Sequence, residues 1–257
     1  MNRFEARSAL VTAAASGVGR GTALRLAREG GSVTVWDRDR DRLEELTEEA
    51  ERDGLAIVAE VLDMTDSDAI AEAVTRMVAR EGRIDVLVNN IGGSLHTPFR
   101  FLEQSEADWE RVLSVNVTAC VRTTRAVLPH MVKAGYGRIV NMGSKAGRFG
   151  SLFAGANYTA SKGAMQAFTL QIAQEFGPAG ITCNTLCPGA ILTERVERLL
   201  SERQSAEERQ KVLESIPVRR HGRVDDVAAA IAYLASEEAG FVNGASLDLN
   251  GGQAMVI

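Results

Sequence analysis

The stretch Ser8-Ala9-Leu10-Val11-Thr12-Ala13-Ala14-Ala15-Ser16-Gly17-Val18-Gly19, running on as RGTALRLARE to Glu29, decides the fold. Residues 8–12 form a short apolar run that reads as a buried strand. Val18, Ala23, Leu24 and Ala27 then recur at helical spacing. A strand that passes through a glycine-rich turn into a helix gathers backbone N–H groups and the positive end of a helix dipole at one point. That arrangement suits a pyrophosphate. Gly17 and Gly19 alone make a weak motif, and their place after the first strand strengthens it.

The same alternation continues down the chain. Strand-like runs fall at 32–36, 55–61, 84–88, 138–142, 181–186 and 245–249. Helical periodicity covers Asp37–Asp53 (Leu43, Leu46, Ala50), about Ser67–Arg80, Asn157–Phe176 and Asp225–Ala235. One long helix is expected over about Glu106–Ala134, with Pro129 bending its end. Residues 192–215 read as a charged helical excursion. Strands alternating with helices imply an α/β fold, and right-handed crossovers make it a Rossmann-like doubly wound parallel sheet of about seven strands. With 257 residues and no repeat or linker, a single domain over 1–257 is expected.

The composition narrows the function class. A net charge of -5 offers no global attraction to nucleic acid or to an anionic membrane. Mean hydropathy is -0.06, and no apolar run approaches a membrane span. The N-terminus does not read as a signal peptide, because a short apolar run leads directly into the glycine turn. Cys120, Cys183 and Cys187 cannot all pair and lack histidine company, so reduced thiols in a cytoplasmic protein are expected, without a metal site.

Ligands of such sheets bind at the carboxyl ends of strands, and several polar residues occupy those ends. Asp37 ends the second strand, where a carboxylate can accept both ribose hydroxyls of an adenosine and repel a 2′-phosphate. Arg38 follows it, and helix capping is the alternative use of Asp37. Asp63-Met64 follows the third strand, Asn89-Asn90-Ile91-Gly92 the fourth and Ser144 the fifth. Tyr158 and Lys162 are four residues apart at a helix start, hence on one face. A lysine so placed favours a phenolate, which can exchange a proton with an alcohol.

In these residues the chain resembles the short-chain dehydrogenase/reductase family, over about Arg7–Gly252. The matching motifs are the turn ending Gly17-Val18-Gly19, Asp63, Asn89-Asn90-Ile91-Gly92, Asn116, Ser144, Tyr158-Thr-Ala-Ser-Lys162, Pro188-Gly189 with Thr193, and Asn243-Gly244. The resemblance implies a catalytic set of Asn116, Ser144, Tyr158 and Lys162. Tyr158 would donate or accept the proton. Lys162 would assist it and hold the nicotinamide ribose, Ser144 would orient the carbonyl, and Asn116 would keep a relay water. The resemblance also implies a dinucleotide site made by Ala13, Ser16, Gly17, Val18, Gly19, Asp37, Arg38, Asp63, Met64, Asn90, Ile91, Gly92, Tyr158, Lys162, Pro188, Gly189, Ile191 and Thr193.

The expected activity is hydride transfer between NAD(H) and a secondary alcohol or ketone. The alternatives are an NADPH-dependent 3-oxoacyl-carrier-protein reductase and an inactive cofactor-binding scaffold. Three departures from the family stand out: Ala13 replaces its first glycine, Ile91 replaces its usual alanine, and the loop between Ser144 and Tyr158 is longer. Arg148, Phe149, Leu152 and Phe153 become candidate substrate walls, with His96 a weaker one. Residues 190–220 are a candidate lid, with pairs such as Glu194–Arg198. A homotetramer is expected, through Ala119, Val127, Ala164, Ala167 and Leu170 and the apolar tail Ala254–Ile257.

Overall fold

In a computed structural model, residues 2–151, 154–194, 196–197 and 205–255 are described. Seven parallel strands form one sheet. They are β1 (Ser8–Thr12), β2 (Ser32–Asp37), β3 (Ile57–Val61), β4 (Val86–Asn89), β5 (Gly137–Met142), β6 (Ile181–Pro188) and β9 (Ser246–Leu249). Their order across the sheet is β3-β2-β1-β4-β5-β6-β9, so the expected doubly wound architecture is present. The strand order reverses between β1 and β4, which places the ligand crevice over their carboxyl ends.

Alternate residues of the strands serve the two faces. Ala9, Val11, Val33 and Val35 join a core with Leu26 of α1 (Gly17–Arg28), Leu43 and Leu46 of α2 (Arg40–Arg52) and Ile231 of α9 (Val224–Leu234). Leu10 and Trp36 face the other core, with Ile70 and Met77 of α3 (Ser67–Glu81), Met131 of α5 (Ala119–Ala134) and Met165 of α7 (Ala156–Phe176). A strand buried on both faces has no polar side, which is why β1 reads as a continuous apolar run. One polar row crosses the second core. Asn89 donates to Asn141 at 2.8 Å and to Thr124 at 3.0 Å, and Asn141 donates to Thr169 at 2.8 Å. All four side chains are buried, so these bonds tie α5 and α7 to β4 and β5.

The expected long helix over 106–134 is divided. α4 (Glu106–Leu113) is followed by a π-helical turn, Ser114–Thr118, and then by α5. Pro129 lies inside α5 and does not end it. The disturbance sits at the π-turn, where one extra residue per turn re-aims the backbone. Two further features carry no mark in the residue pattern: α6 (Ala146–Phe149), and the two-residue pair β7 (Ile191–Leu192) and β8 (Gly222–Arg223). In the 192–215 excursion, α8 (Ala206–Glu214) is described, whereas Arg198 lies outside the described residues.

The surface corrects part of the assembly expectation. Ala119 and Val127 belong to the protomer's own core and cannot face a second subunit. Ala167 and Leu170 on α7 are exposed, as is Met255 in the tail. Residues 256–257 are outside the described residues.

Candidate active site

The turn after β1 is shaped for a close approach. Ala13 takes a φ of 51° and Gly17 a φ of 55°, both in the left-handed region. For Ala13 this conformation costs of order 1 kcal/mol, since its Cβ crowds the backbone. Asn90 holds the turn in place: its Nδ2 donates to Thr12 O at 3.1 Å and to Ala13 O at 2.9 Å. Thr12 Oγ1 accepts the backbone N–H groups of Asn90 and Ile91 at 3.0 and 3.1 Å. Asn90, expected along the dinucleotide, thus acts first as the staple between β1 and β4.

Two observations test whether a dinucleotide fits here. A Cβ on Gly19 would lie 2.3 Å from Ala13 O and 2.6 Å from Asn90 Nδ2, so only glycine allows this packing. Ser16, exposed at the start of α1, makes no side-chain cap, and the first turn carries no acid. The helix therefore presents uncapped N–H donors and its positive dipole end to the crevice, where an anionic pyrophosphate fits. The half-buried Val18 packs against the core. Thr193 lies beside the turn, with its Cγ2 3.5 Å from where a Cβ on Gly17 would be.

Asp37, half-buried at the end of β2, accepts the Ala15 N–H at 3.0 Å and the Asp39 N–H at 3.1 Å. Its carboxylate is thereby fixed beside the turn. The cap of α2 is Asp39, whose side chain accepts the Arg42 N–H. Arg38 is exposed. Asp63 accepts the Thr65 N–H and hydroxyl at 2.9 and 2.8 Å, which hold its carboxyl below the usual range. Met64 is buried behind it. On the far side, Gly189 packs against Asn250, and Ile191 pairs with Gly222. Pro188 ends β6 and accepts the Lys145 N–H at 2.9 Å.

Two of the catalytic candidates, Asn116 and Lys162, converge at Gly92, whose φ of 144° is open only to glycine. A Cβ there would be 3.0 Å from Asn116 Oδ1 and 3.1 Å from Lys162 Nζ. Asn116 sits in the π-turn, fully buried. Its amide donates to Gly93 O at 3.1 Å and Ser161 Oγ at 2.9 Å, and accepts the Gly93 N–H at 2.9 Å. Lys162 Nζ donates to Met142 O at 2.7 Å, just before the loop that carries Ser144. It lies 5.8 Å from the centroid of the half-buried Tyr158 ring, one helical turn earlier. Ser144 Oγ accepts the Ala146 N–H at 3.1 Å at the start of α6. Ser161 and Met142 O were missed by sequence reasoning. Ser161 lies inside the YTASK motif, but only the π-turn reveals its partner.

Among the candidate walls, Arg148 pairs with Asp248 of β9 at 3.0 Å, and Phe149 and His96 are exposed. Leu152 and Phe153 lie outside the described residues. The thiols are buried, and burial pushes Cys120 and Cys187 up to about 11 and Cys183 up to about 12.

Comparison with known proteins accounts for this arrangement. A family model described as enoyl-(acyl carrier protein) reductase matches residues 12–254. The 3-oxoacyl-[acyl-carrier-protein] reductase FabG of Thermotoga maritima is 36% identical over 250 residues, covering 97% of this chain and 98% of its own. The (2S)-[(R)-hydroxy(phenyl)methyl]succinyl-CoA dehydrogenase subunit BbsD of Thauera aromatica is 35% identical, with 97% of each chain covered. A short-chain dehydrogenase/reductase structure from Mycobacterium ulcerans superposes with a TM-score of 0.91 at 32% identity, over 97% of this chain and 90% of that one. The chain belongs to the short-chain dehydrogenase/reductase family. As a member it is an oxidoreductase that works with a nicotinamide dinucleotide.

Proposed function

We propose that the protein interconverts a secondary alcohol and its ketone with NAD(H), and that Tyr158 exchanges the substrate proton. The observation that carries this reading is the convergence of Asn116 and Lys162 on Gly92, with Tyr158 one turn from Lys162. When bound, the nicotinamide supplies the hydride chemistry. The chain holds and moves the proton. In oxidation Tyr158 takes it from the substrate hydroxyl, and in reduction returns it. Lys162, held by Met142 O, places positive charge near the oxygen where negative charge develops. Ser144 directs its hydroxyl at the substrate oxygen. Asn116, its amide fixed by Gly93 and Ser161, keeps a water on the path to solvent.

Asp37 selects NAD, because a 2′-phosphate would meet a carboxylate already fixed by two N–H groups. NAD should be favoured at least tenfold in kcat/KM, about 1.4 kcal/mol. The test screens secondary alcohols with NAD and with NADP, following absorbance of the reduced coenzyme. Equal or better rates with NADP would remove the role given to Asp37.

Similarity to 3-oxoacyl-carrier-protein and acetoacetyl-CoA reductases supports a second reading, reduction of a 3-oxoacyl thioester with NADPH. Assaying acetoacetyl thioesters with both reduced coenzymes separates the two. The lid expected over 190–220 takes in residues 195 and 198–204, which lie outside the described residues. We further infer a cytoplasmic homotetramer, its contacts drawing on Ala167, Leu170 and the tail at Met255. A monomeric mass by light scattering at micromolar concentration would contradict the assembly.

A further inference from the structure

Lys145 directly follows Ser144 and is pinned at the end of β6 by its N–H bond to Pro188 O. Its side chain is half-buried. The ammonium donates to Gln253 Oε1 at 2.8 Å, and Gln253 donates in turn to Ser215 Oγ at 2.8 Å. Ser215 closes α8, and Gln253 follows Gly251 and Gly252. Those glycines pack against Ile216, Pro217 and Val218, leaving no room for a Cβ on Gly251. The lysine head thus lies where the loop carrying Ser144, the end of α8 and the C-terminal tail meet.

The electrostatics of this point are unbalanced. Burial lowers the pKa of Lys145, and among the described residues no carboxylate lies within ion-pair distance of it. The contrast is Arg148, three residues on, which is paired with Asp248. A cation drawn partly out of water toward a neutral amide oxygen forfeits hydration without a counter-charge. An arriving carboxylate would restore it, and charge-assisted bonds to such a partner are shorter and stronger than the one to Gln253. The amide of Gln253 can yield its place without leaving a charge behind.

We propose that Lys145 is the anion-binding subsite of the enzyme, so that the substrate is a short hydroxy acid or keto acid whose carboxylate it holds while Ser144 faces the carbinol carbon. This rests on the dehydrogenase reading for the position of the reacting carbon. It also separates two substrate classes. A free carboxylate engages Lys145, and an ester or thioester does not.

The test compares 2- and 3-hydroxybutyrate with their methyl esters, measured by calorimetric titration of the NADH-bound protein, so that turnover is not needed. Wild type should bind one of the acids at least tenfold more tightly than its ester. Lys145→Met should bring that ratio close to one, while Lys145→Arg, which keeps the charge, should retain most of it. Equal binding of acid and ester by wild type would overturn the proposal. So would a Lys145→Met variant that weakens both alike, since that is the signature of a structural tie to the tail. Absence of turnover in a parallel assay would count against the dehydrogenase reading, whereas the acid-to-ester binding ratio decides the role of Lys145 separately.

Discussion

Gly19→Ala tests the cofactor turn by adding one methyl group. The new Cβ would sit 2.3 Å from Ala13 O, 2.6 Å from Asn90 Nδ2 and 2.8 Å from Ala14 Cα, where ordinary contact begins at 3.4 Å. Two of these neighbours are backbone, and the third is the amide that staples β4 to the turn. Relief therefore requires the turn itself to move, and Ala13 is already in the left-handed region. Overpacking of this kind costs about 1–3 kcal/mol. If the cost falls on the conformation that receives the dinucleotide, Kd rises about 5- to 150-fold, at about 1.4 kcal/mol per tenfold. The assay is NADH fluorescence titration beside a thermal melt. Gly54→Ala is the control, because Gly54 has a φ of 67° with nothing within 4 Å. It should show only the backbone cost and leave Kd unchanged. A Gly19→Ala protein with wild-type Kd and melting temperature would refute the reasoning.

Arg220 and the Arg223 N–H hold the Asp226 carboxyl at about 2, against an ordinary value of 3.8. A depressed carboxyl stabilises the fold above its unfolded value, and that contribution disappears as pH falls from about 4 through 2. Asp226→Asn should melt lower at pH 7 and show a flatter loss of stability over that interval. An unchanged acid melting profile would contradict the assignment. The three thiols, raised to about 11, 12 and 11 by burial, should resist Ellman's reagent at pH 8 until the chain is unfolded, then all react. A fast-reacting thiol in the native protein would be inconsistent with this packing.

Much of the fold is legible in the sequence because both-face burial writes itself as apolar runs such as residues 8–12 and 86–88. The capping of α3 is equally plain: Asp66 accepts the N–H groups of Asp68 and Ala69. What escapes depends on tertiary contact. Leu113 to Ala119 has ordinary helical periodicity, and only the burial of Asn116 between Gly93 and Ser161 marks the π-turn. Ala119 and Val127 look surplus to one sheet face, yet the second core is deep enough to absorb them. The place of Asp37 at its strand end is readable from the pattern, but its partner, the Ala15 N–H, comes from a turn 22 residues earlier. The candidate catalytic residues can be named from spacing. That Met142 O anchors Lys162 cannot, because a backbone oxygen leaves no mark in the residue pattern.

The central claim is that Tyr158 exchanges the substrate proton. Tyr158→Phe keeps the ring against Lys162 and removes the hydroxyl. The direct measurement is kcat for oxidation of an accepted alcohol by this variant, with NADH binding measured on the same preparation. Loss of general acid–base catalysis is typically worth about 10²–10⁴-fold. The expected result is a kcat lower by that order or more, with NADH affinity near wild type. Near-normal turnover by this variant would contradict it.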